Sequence, residues 1–187
     1  MPLPILSPTP HRTSGEAPTL PPPPPGFRPV EDIQSAWRAG DGSFVPSRAE
    51  GDEPSVAQLN GLRYERKVRE RFASEIPHSE AGPWFFFRDA YGTRRCQPDL
   101  LFPLPDRVIV AEVKLFHTTD AWWQLRKLYE PVVGKALRLP VRLLVITGTY
   151  DPAIAWPEPL ELLDDPTAVH TWIRDRGTGM GVLRWTL

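Results

Sequence analysis

The chain has 187 residues, a formal net charge of −1, 24 prolines and one cysteine. This length fits one domain, and the charge excludes a generally basic nucleic-acid coat, although a local basic patch is sufficient for a nuclease. The single Cys96, read as a structural residue, excludes an intrachain disulfide and a CxxC zinc pattern; no apolar run approaches the ~20 residues of a membrane span, so we expect a cytoplasmic protein.

Residues 1–52 are predicted to form a disordered or extended Pro-rich tail ahead of a folded domain at residues 53–187. The first fifty residues hold half of the prolines, and the run Pro21–Pro25 favours a polyproline helix. This tail is either a plain linker or a ligand for an aromatic-lined groove on a protein partner. Four large apolar residues in its second half are expected to dock on the domain or on a partner: Phe27, Ile33, Trp37 and Phe44.

Residues 55–73 lack proline and are predicted to form the first helix, with Asp52 or Ser55 as its cap. At about 100° per residue, Glu65 falls in the middle of one apolar side. That side is formed by Gly61, Leu62, Val68 and Phe72, and Gly61 would permit a close approach. The basic residues are expected mostly elsewhere: Arg63, Arg66, Lys67 and Arg69. A carboxylate on an apolar face needs a partner, so Glu65 either binds a metal, snorkels to the edge of the core, or pairs with a nearby arginine.

A basic pair follows the next predicted element, the strand Trp84–Arg88. Gly92 and Thr93 are typical of a loop. Arg94 and Arg95 would extend from that loop, where their side chains can contact nucleic-acid phosphates.

Two apolar segments then predict an antiparallel hairpin, Leu100–Phe102 and a second strand from Val108, joined by a proline-containing turn. Because side chains alternate along a strand, Glu112 and Lys114 point to the same face. Pro98 favours a strand start, so Asp99 opens the first strand and lies opposite the end of the second. The hairpin therefore brings Asp99 close to Glu112 and Lys114.

This grouping has two interpretations. Two carboxylates suit a hard divalent cation such as Mg²⁺, which polarises a phosphate oxygen and lowers the pKa of bound water. Lys114 would then orient the water or stabilise charge on the phosphate. Alternatively, Glu112 and Lys114 form a structural ion pair at a wet strand end.

A second helix is predicted over Thr118–Leu139, with apolar residues at i, i+3 and i+4 spacing and Pro131 as a possible kink. Gln124 lies in its first two turns and is either a site residue or a solvated helix residue. The strand Val141–Thr147 follows, and the strand–helix–strand order implies a parallel crossover. A further helix from Asp165 to about Arg174 and a last strand over Val182–Thr186 complete the prediction.

The pattern Pro98-Asp99 followed by Glu112-x-Lys114 resembles the PD-(D/E)xK nuclease superfamily. Gln124 on the following helix is similar to the RecB-like and resolvase-like branches. The resemblance covers about residues 53 to 150 and implies an α/β fold of the restriction-endonuclease type, with a mixed central sheet flanked by helices.

The resemblance also implies an activity, the hydrolysis of DNA phosphodiester bonds with Mg²⁺ or Mn²⁺. The implied metal ligands are Asp99, Glu112, the main-chain carbonyl of Val113, and Glu65 directly or through water. Lys114 would position or activate the attacking water, and Gln124 would assist. Tyr129 lies five residues after Gln124, where the family pattern has four, and is interpreted as a core residue.

Two alternatives stay open without catalysis. The chain could keep the nuclease fold for binding or assembly in a larger complex such as a phage particle, to which the tail would tether it. It could also be an interaction module in which Asp99, Glu112 and Lys114 form a salt-bridge network.

Overall fold

The computed structural model describes residues 20–40, 55–76, 78–154, 156–163, 168–169, 171–172 and 179–186. The helices are α1 (Val56–Glu75), α2 (Thr119–Gln124) and α3 (Glu130–Leu137), and a π-helical turn, Leu125–Tyr129, joins α2 to α3. The strands are β1 (Ser35–Arg38), β2 (Glu80–Ala81), β3 (Phe85–Asp89), β4 (Gly92–Cys96), β5 (Leu100–Pro103), β6 (Val108–Phe116), β7 (Val141–Thr149), β8 (Leu160–Leu163) and β9 (Met180–Arg184). No helix among these residues is both long and apolar enough to cross a bilayer.

A six-stranded mixed sheet in the order β2-β5-β6-β7-β9-β8 forms the centre of the fold. β5 and β6 are the predicted antiparallel hairpin, whereas β7 runs parallel to β6 after the helical crossover. One face of the sheet packs against α1, and the other packs against α2, the π-helical turn and α3. The chain therefore has the predicted α/β architecture with a mixed central sheet and helices.

Helix α1 begins at the predicted cap, because Ser55 and Gln58 form a reciprocal capping box. Its buried stripe consists of Tyr64, Val68 and Phe72, whereas Leu62 is 46% exposed. The expected place of Leu62 on the apolar face is therefore wrong, and Tyr64 takes the buried position. A Cβ atom on Gly61 would meet no atom of the described residues within 4 Å, so none of them approaches the helix closely there.

Pro131 changes the long second helix. Proline has no N–H, so the carbonyl of Lys127 receives no intrahelical bond from residue 131. The N–H of Glu130 instead bonds to the carbonyl of Leu125, which is the π-helical turn. The freed carbonyl of Lys127 accepts the backbone N–H of Val30 at 2.9 Å. The predicted kink thus also provides a docking point for the N-terminal segment.

A smaller sheet in the order β1-β3-β4 packs on α3 and includes part of the segment predicted as a tail. Phe27 and Ile33 pack on the core, and the ring centroids of Phe27 and Trp123 lie 5.8 Å apart. Residues 35–38 are therefore part of the folded unit, whereas residues 1–19 and 41–52, with Phe44, lie outside the described residues. The predicted loop at Gly92 and Thr93 is wrong, because both residues belong to β4.

The C-terminal part was only partly predicted. β9 corresponds to the expected last strand, two residues earlier, and β8 was not predicted. Residues 168–169 and 171–172 are helical. The other residues of the predicted helix at 165–174 lie outside the described residues.

Candidate functional site

The hairpin of β5 and β6 brings two carboxylates together. Leu100 pairs with Ala111, so the preceding Asp99 lies opposite Glu112. Oδ2 of Asp99 accepts a hydrogen bond from the backbone N–H of Val113 at 2.7 Å. This bond extends the hydrogen-bond ladder between β5 and β6 by one step, with a side chain as the acceptor. Asp99 is 8% exposed and Glu112 is 3% exposed. The pairing of β5 with β6 therefore ends at a buried acid, Asp99, which follows Pro98.

Glu112 combines a partner on one oxygen with none on the other. Nζ of Lys114 lies 2.6 Å from Oε1, whereas Oε2 is buried and has no hydrogen-bond partner within the described part of the chain. The pKa of Glu112 is raised to about 8; burial is the largest cause, the charge of Asp99 adds to it, and Lys114 opposes both. The carboxylate therefore lies in a place that would favour additional positive charge.

Lys114 remains the protonated partner of this pair. Burial by itself lowers the pKa of its ammonium group, but the charge and hydrogen bond of Glu112 outweigh burial, and Asp99 and Glu65 add to them. The pKa of Lys114 is consequently raised above its ordinary value.

Arg69 links the third acid to this group. Its Nη2 atom lies 2.5 Å from Oε1 of Glu65 and 2.8 Å from Oδ1 of Asp99. Burial raises the pKa of Glu65, the charge of Asp99 adds to this, and Arg69 opposes it. Glu65 therefore pairs with a nearby arginine, which was one of the interpretations predicted for it. Arg69 was expected away from this side, although its i, i+4 spacing from Glu65 is a signal for such a pair.

Tyr129 is buried in the core, as predicted, and it also lies near the two acids. Its hydroxyl donates to the carbonyl of Gln97 at 3.3 Å. Burial raises the pKa of Tyr129 well above its ordinary value, and the charges of Glu112 and Asp99 raise it further. Tyr129 is therefore buried and also in the electrostatic range of both carboxylates.

Gln124 is half-buried at the end of α2, a helix that contacts β6. Its Oε1 atom is buried and, among the described residues, has no hydrogen-bond partner. A buried amide oxygen without a partner is uncommon and costly in proteins. Gln124 therefore differs from an ordinary solvated helix residue.

The two arginines of β4 lie on opposite faces of the small sheet. Arg94 points inward, where it forms an ion pair with Asp89 and donates to the carbonyls of Arg28 at 3.0 Å and Pro29 at 2.9 Å. Arg95 is exposed, with its guanidinium 5.5 Å from the ring centroid of Trp84. The expectation that both would extend from a loop is wrong, because a strand turns them in opposite directions. Arg94 holds the N-terminal segment in place.

The fit of a divalent cation depends on these ion pairs. Within the ranges that the structure describes, no three His, Cys, Asp or Glu side chains form a group that could hold a metal ion. The donors have suitable chemistry, since carboxylate oxygens suit Mg²⁺ and one oxygen of Glu112 is buried with no hydrogen-bond partner among the residues that the structure describes. However, Arg69 holds Asp99 and Glu65 together. A cation would fit among the acids only after this guanidinium leaves.

The chain was compared with protein-family models, with curated proteins and with solved structures, and no match was found in any of the three.

Proposed function

We propose that this protein is a metal-dependent nuclease of the PD-(D/E)xK type that hydrolyses DNA phosphodiester bonds. The observation that carries the proposal is the opposition of Asp99 and Glu112 across the hairpin, with Lys114 paired to Glu112. Burying two carboxylates side by side is costly, and carboxylates with raised pKa values occur preferentially at functional sites. A divalent cation would lower this cost beyond what Arg69 and Lys114 provide, because Oε2 of Glu112 is buried and has no hydrogen-bond partner in the part of the chain that the structure describes.

The order of elements supports the restriction-endonuclease-like fold. Helix α1 is followed by the antiparallel β5–β6 hairpin, a helical crossover and the parallel strand β7. The resemblance implies this order for the core, and Arg69 joins Glu65 of α1 to Asp99 at the end of the hairpin. The small sheet β1-β3-β4 would then be an addition to that core.

The residues suited to hold Mg²⁺ or Mn²⁺ are Asp99, Glu112, the carbonyl of Val113, and Glu65. A bound cation would supply charge for the phosphate and lower the pKa of water. Lys114 keeps its proton at neutral pH because its pKa is raised. Its role is therefore to orient water or stabilise negative charge on the phosphate, and not to accept a proton in this state.

Gln124 and Tyr129 would supply further polar groups to this site. The unpartnered amide oxygen of Gln124 suits a hydrogen bond from water. The hydroxyl of Tyr129 remains protonated because its pKa is raised, so it acts as a donor. Both groups would position water and exclude bulk solvent.

The test is cleavage of linear, circular and branched DNA in Mg²⁺ or Mn²⁺. We expect Asp99→Asn and Lys114→Gln each to lower the rate by at least ~100-fold, because each removes charge from the reacting centre. Asp106→Asn is the matched control, since Asp106 lies in the exposed turn between β5 and β6. Cleavage at the wild-type rate by both site variants would contradict the proposal.

A second candidate is an interaction module, which the ion pairs themselves favour. Arg69 with Asp99 and Glu65, and Lys114 with Glu112, satisfy most of the charges without a metal. Calorimetry with Mn²⁺ distinguishes the two. The nuclease binds the cation and Asp99→Asn weakens the binding, whereas the module shows no binding in either protein. A protein partner for the Pro-rich N-terminal segment stays a prediction.

A further inference from the structure

Arg69 has to leave two acids before a cation can bind them, and its own donors indicate where it goes. Both of its ion pairs use one nitrogen, since Nη2 lies 2.5 Å from Oε1 of Glu65 and 2.8 Å from Oδ1 of Asp99. Nε is buried and has no hydrogen-bond partner among the residues that the structure describes. A guanidinium carries N–H donors on all three nitrogens, in a planar fork. In this position Arg69 therefore leaves a buried donor unused.

A phosphate would use this fork more fully than the two carboxylates do. Two oxygens of one phosphate match two N–H groups of a guanidinium, and such bidentate, charge-assisted pairs are stronger than single contacts. Glu65 and Asp99 each offer Arg69 one oxygen, and they share the same nitrogen. A phosphodiester within reach would therefore provide partners for Nε and for a second nitrogen at once.

Arg69 is also the most accessible member of the group that it shares with the buried acids. Its side chain is 28% exposed, against 12% for Asp99 and 4% for Glu112. A long basic side chain on a helix can keep its stem packed while its charged end extends into water. A DNA backbone that approaches from solvent should therefore meet the guanidinium before it meets the carboxylate oxygens.

The formal charges around Arg69 favour the joint binding of a cation and a phosphate. With every acid ionised, Glu65, Asp99 and Glu112 outnumber Arg69 and Lys114 by one negative charge. A divalent cation alone would leave one positive charge, and a phosphodiester alone would leave two negative charges. Both together leave the group neutral. Each ligand therefore removes charge that opposes the other.

We propose that Arg69 is a switch residue that moves from the acids to a DNA phosphate, so that the DNA backbone and the divalent cation bind cooperatively. In the free protein, Arg69 holds Asp99 and Glu65 and keeps the affinity for the cation low. When a phosphodiester binds the guanidinium, the acids are released to the cation. The inference rests on the proposed function and adds to it the regulation of metal binding by the substrate.

The experiment measures the affinity for Ca²⁺ by competition with a fluorescent chelator, with and without a short DNA duplex at a concentration that saturates each protein. Electrophoresis checks that the duplex stays intact. Without DNA, Arg69→Gln should bind Ca²⁺ roughly 5- to 50-fold more tightly than the wild type, because the cation displaces no charged group. With DNA, the two affinities should become nearly equal, because the phosphate has then taken the guanidinium from the acids. Linkage requires that Ca²⁺ strengthen DNA binding by the same factor, which fluorescence anisotropy measures independently.

Two further variants separate the switch from a change in net charge. Arg66→Gln removes the same charge from an exposed position one turn earlier on α1, and DNA should increase its Ca²⁺ affinity as much as that of the wild type. Arg69→Lys keeps the positive charge beside the acids but lacks the planar fork. Its Ca²⁺ affinity without DNA should stay close to the wild-type value, and the increase caused by DNA should be smaller. Circular dichroism should show all variants folded.

Two results would overturn the switch: an advantage of Arg69→Gln over the wild type that is the same with and without DNA, or no advantage without DNA. The nuclease proposal can fail separately. Cleavage by the wild type in Mg²⁺ together with either of these results contradicts the switch alone. Cooperative binding of Ca²⁺ and DNA that depends on Arg69, without cleavage in Mg²⁺ or Mn²⁺, supports the switch and contradicts the nuclease.

Discussion

The guanidinium of Arg69 lies 2.8 Å from the carboxylate of Asp99, at the point where a nuclease of this type would need a metal ion. The same Nη2 atom contacts Glu65. One arginine therefore supplies the positive charge that two of the three acids require. In the proposed nuclease, Arg69 and the divalent cation compete for the same oxygens.

This competition predicts that Arg69→Gln binds Mn²⁺ more tightly than the wild type, because the cation no longer displaces a charged group. We expect a roughly 5- to 50-fold lower Kd by calorimetry, given that a partly buried ion pair contributes about 1–2 kcal/mol. Without metal, the variant should be less stable to urea by about 1–3 kcal/mol, because Asp99 stays buried but loses its charged partner and keeps only the backbone N–H of Val113.

Arg66→Gln is the control for this prediction. Arg66 lies one turn away on the same helix, is exposed, and has only a loose pair with Glu70 at 3.9 Å. It should change neither metal affinity nor stability. Equal or weaker Mn²⁺ binding by Arg69→Gln would show that Arg69 does not compete with the cation for the oxygens of Asp99 and Glu65.

Local patterns were sufficient for the centre of the fold. The apolar runs of β5, β6 and β7 and the proline-containing turn between β5 and β6 specify a hairpin and a crossover, because each is set by neighbouring residues. The predicted strand Trp84–Arg88 corresponds to β3, but its partners β1 and β4 were missed for a physical reason. β1 forms by pairing with β3, fifty residues away, and its own sequence carries only a weak strand signal.

The candidate site was also predicted only where local sequence patterns determine it. The relation of Asp99 to Glu112 and Lys114 follows from alternation and hairpin register, both local properties. Arg69 was missed because the projection of α1 was centred too close to Leu62, whereas the structure buries Tyr64. The inward turn of Arg94 depends on Asp89 and on the carbonyls of the N-terminal segment, which only the tertiary structure brings together.

A second prediction concerns pH. The pKa of Glu112 is about 8 in the folded protein, above the ordinary value of 4.5 for a glutamate in the unfolded chain. Between these values the folded state binds a proton that the unfolded state has lost, so the free energy of unfolding contributed by Glu112 falls as pH rises. This contribution of Glu112 does not change with pH below about pH 4.5 or above about pH 8.

Urea unfolding of the wild type and of Glu112→Gln across this range, without divalent metal, measures the effect. Carboxylates far from Glu112 contribute equally to both proteins, so the difference between the two curves reports Glu112 together with the groups coupled to it, Asp99, Glu65 and Lys114. We expect the variant to gain stability relative to the wild type as pH rises from 5 to 8, since its amide does not ionise. A difference that is constant with pH would show that Glu112 titrates normally in the folded protein.

A third prediction compares two glycines. A Cβ atom at Gly181 on β9 would lie 2.8 Å from Cζ2 of Trp172, which cannot move easily because it is 2% exposed and its Nε1 donates to Glu161 at 2.9 Å. Gly181→Ala should therefore destabilise the protein by about 1–3 kcal/mol. Gly61→Ala has open space in the middle of α1 and should stabilise it by about 0.5–1 kcal/mol. Urea unfolding checks both, and a destabilised Gly61→Ala would indicate a close neighbour at that helix position.

The N-terminal segment gives the last prediction. Phe27 packs on Trp123, and Val30 donates its N–H to the carbonyl that Pro131 leaves free in the helix. If this docking contributes to the fold, Phe27→Ala should lower the free energy of unfolding by about 1–3 kcal/mol, less than for a fully buried ring because Phe27 is only half-buried. Leu20→Ala is the control, since Leu20 is 46% exposed. Equal stability of the two variants would show that the packing of Phe27 on Trp123 adds no stability to the domain.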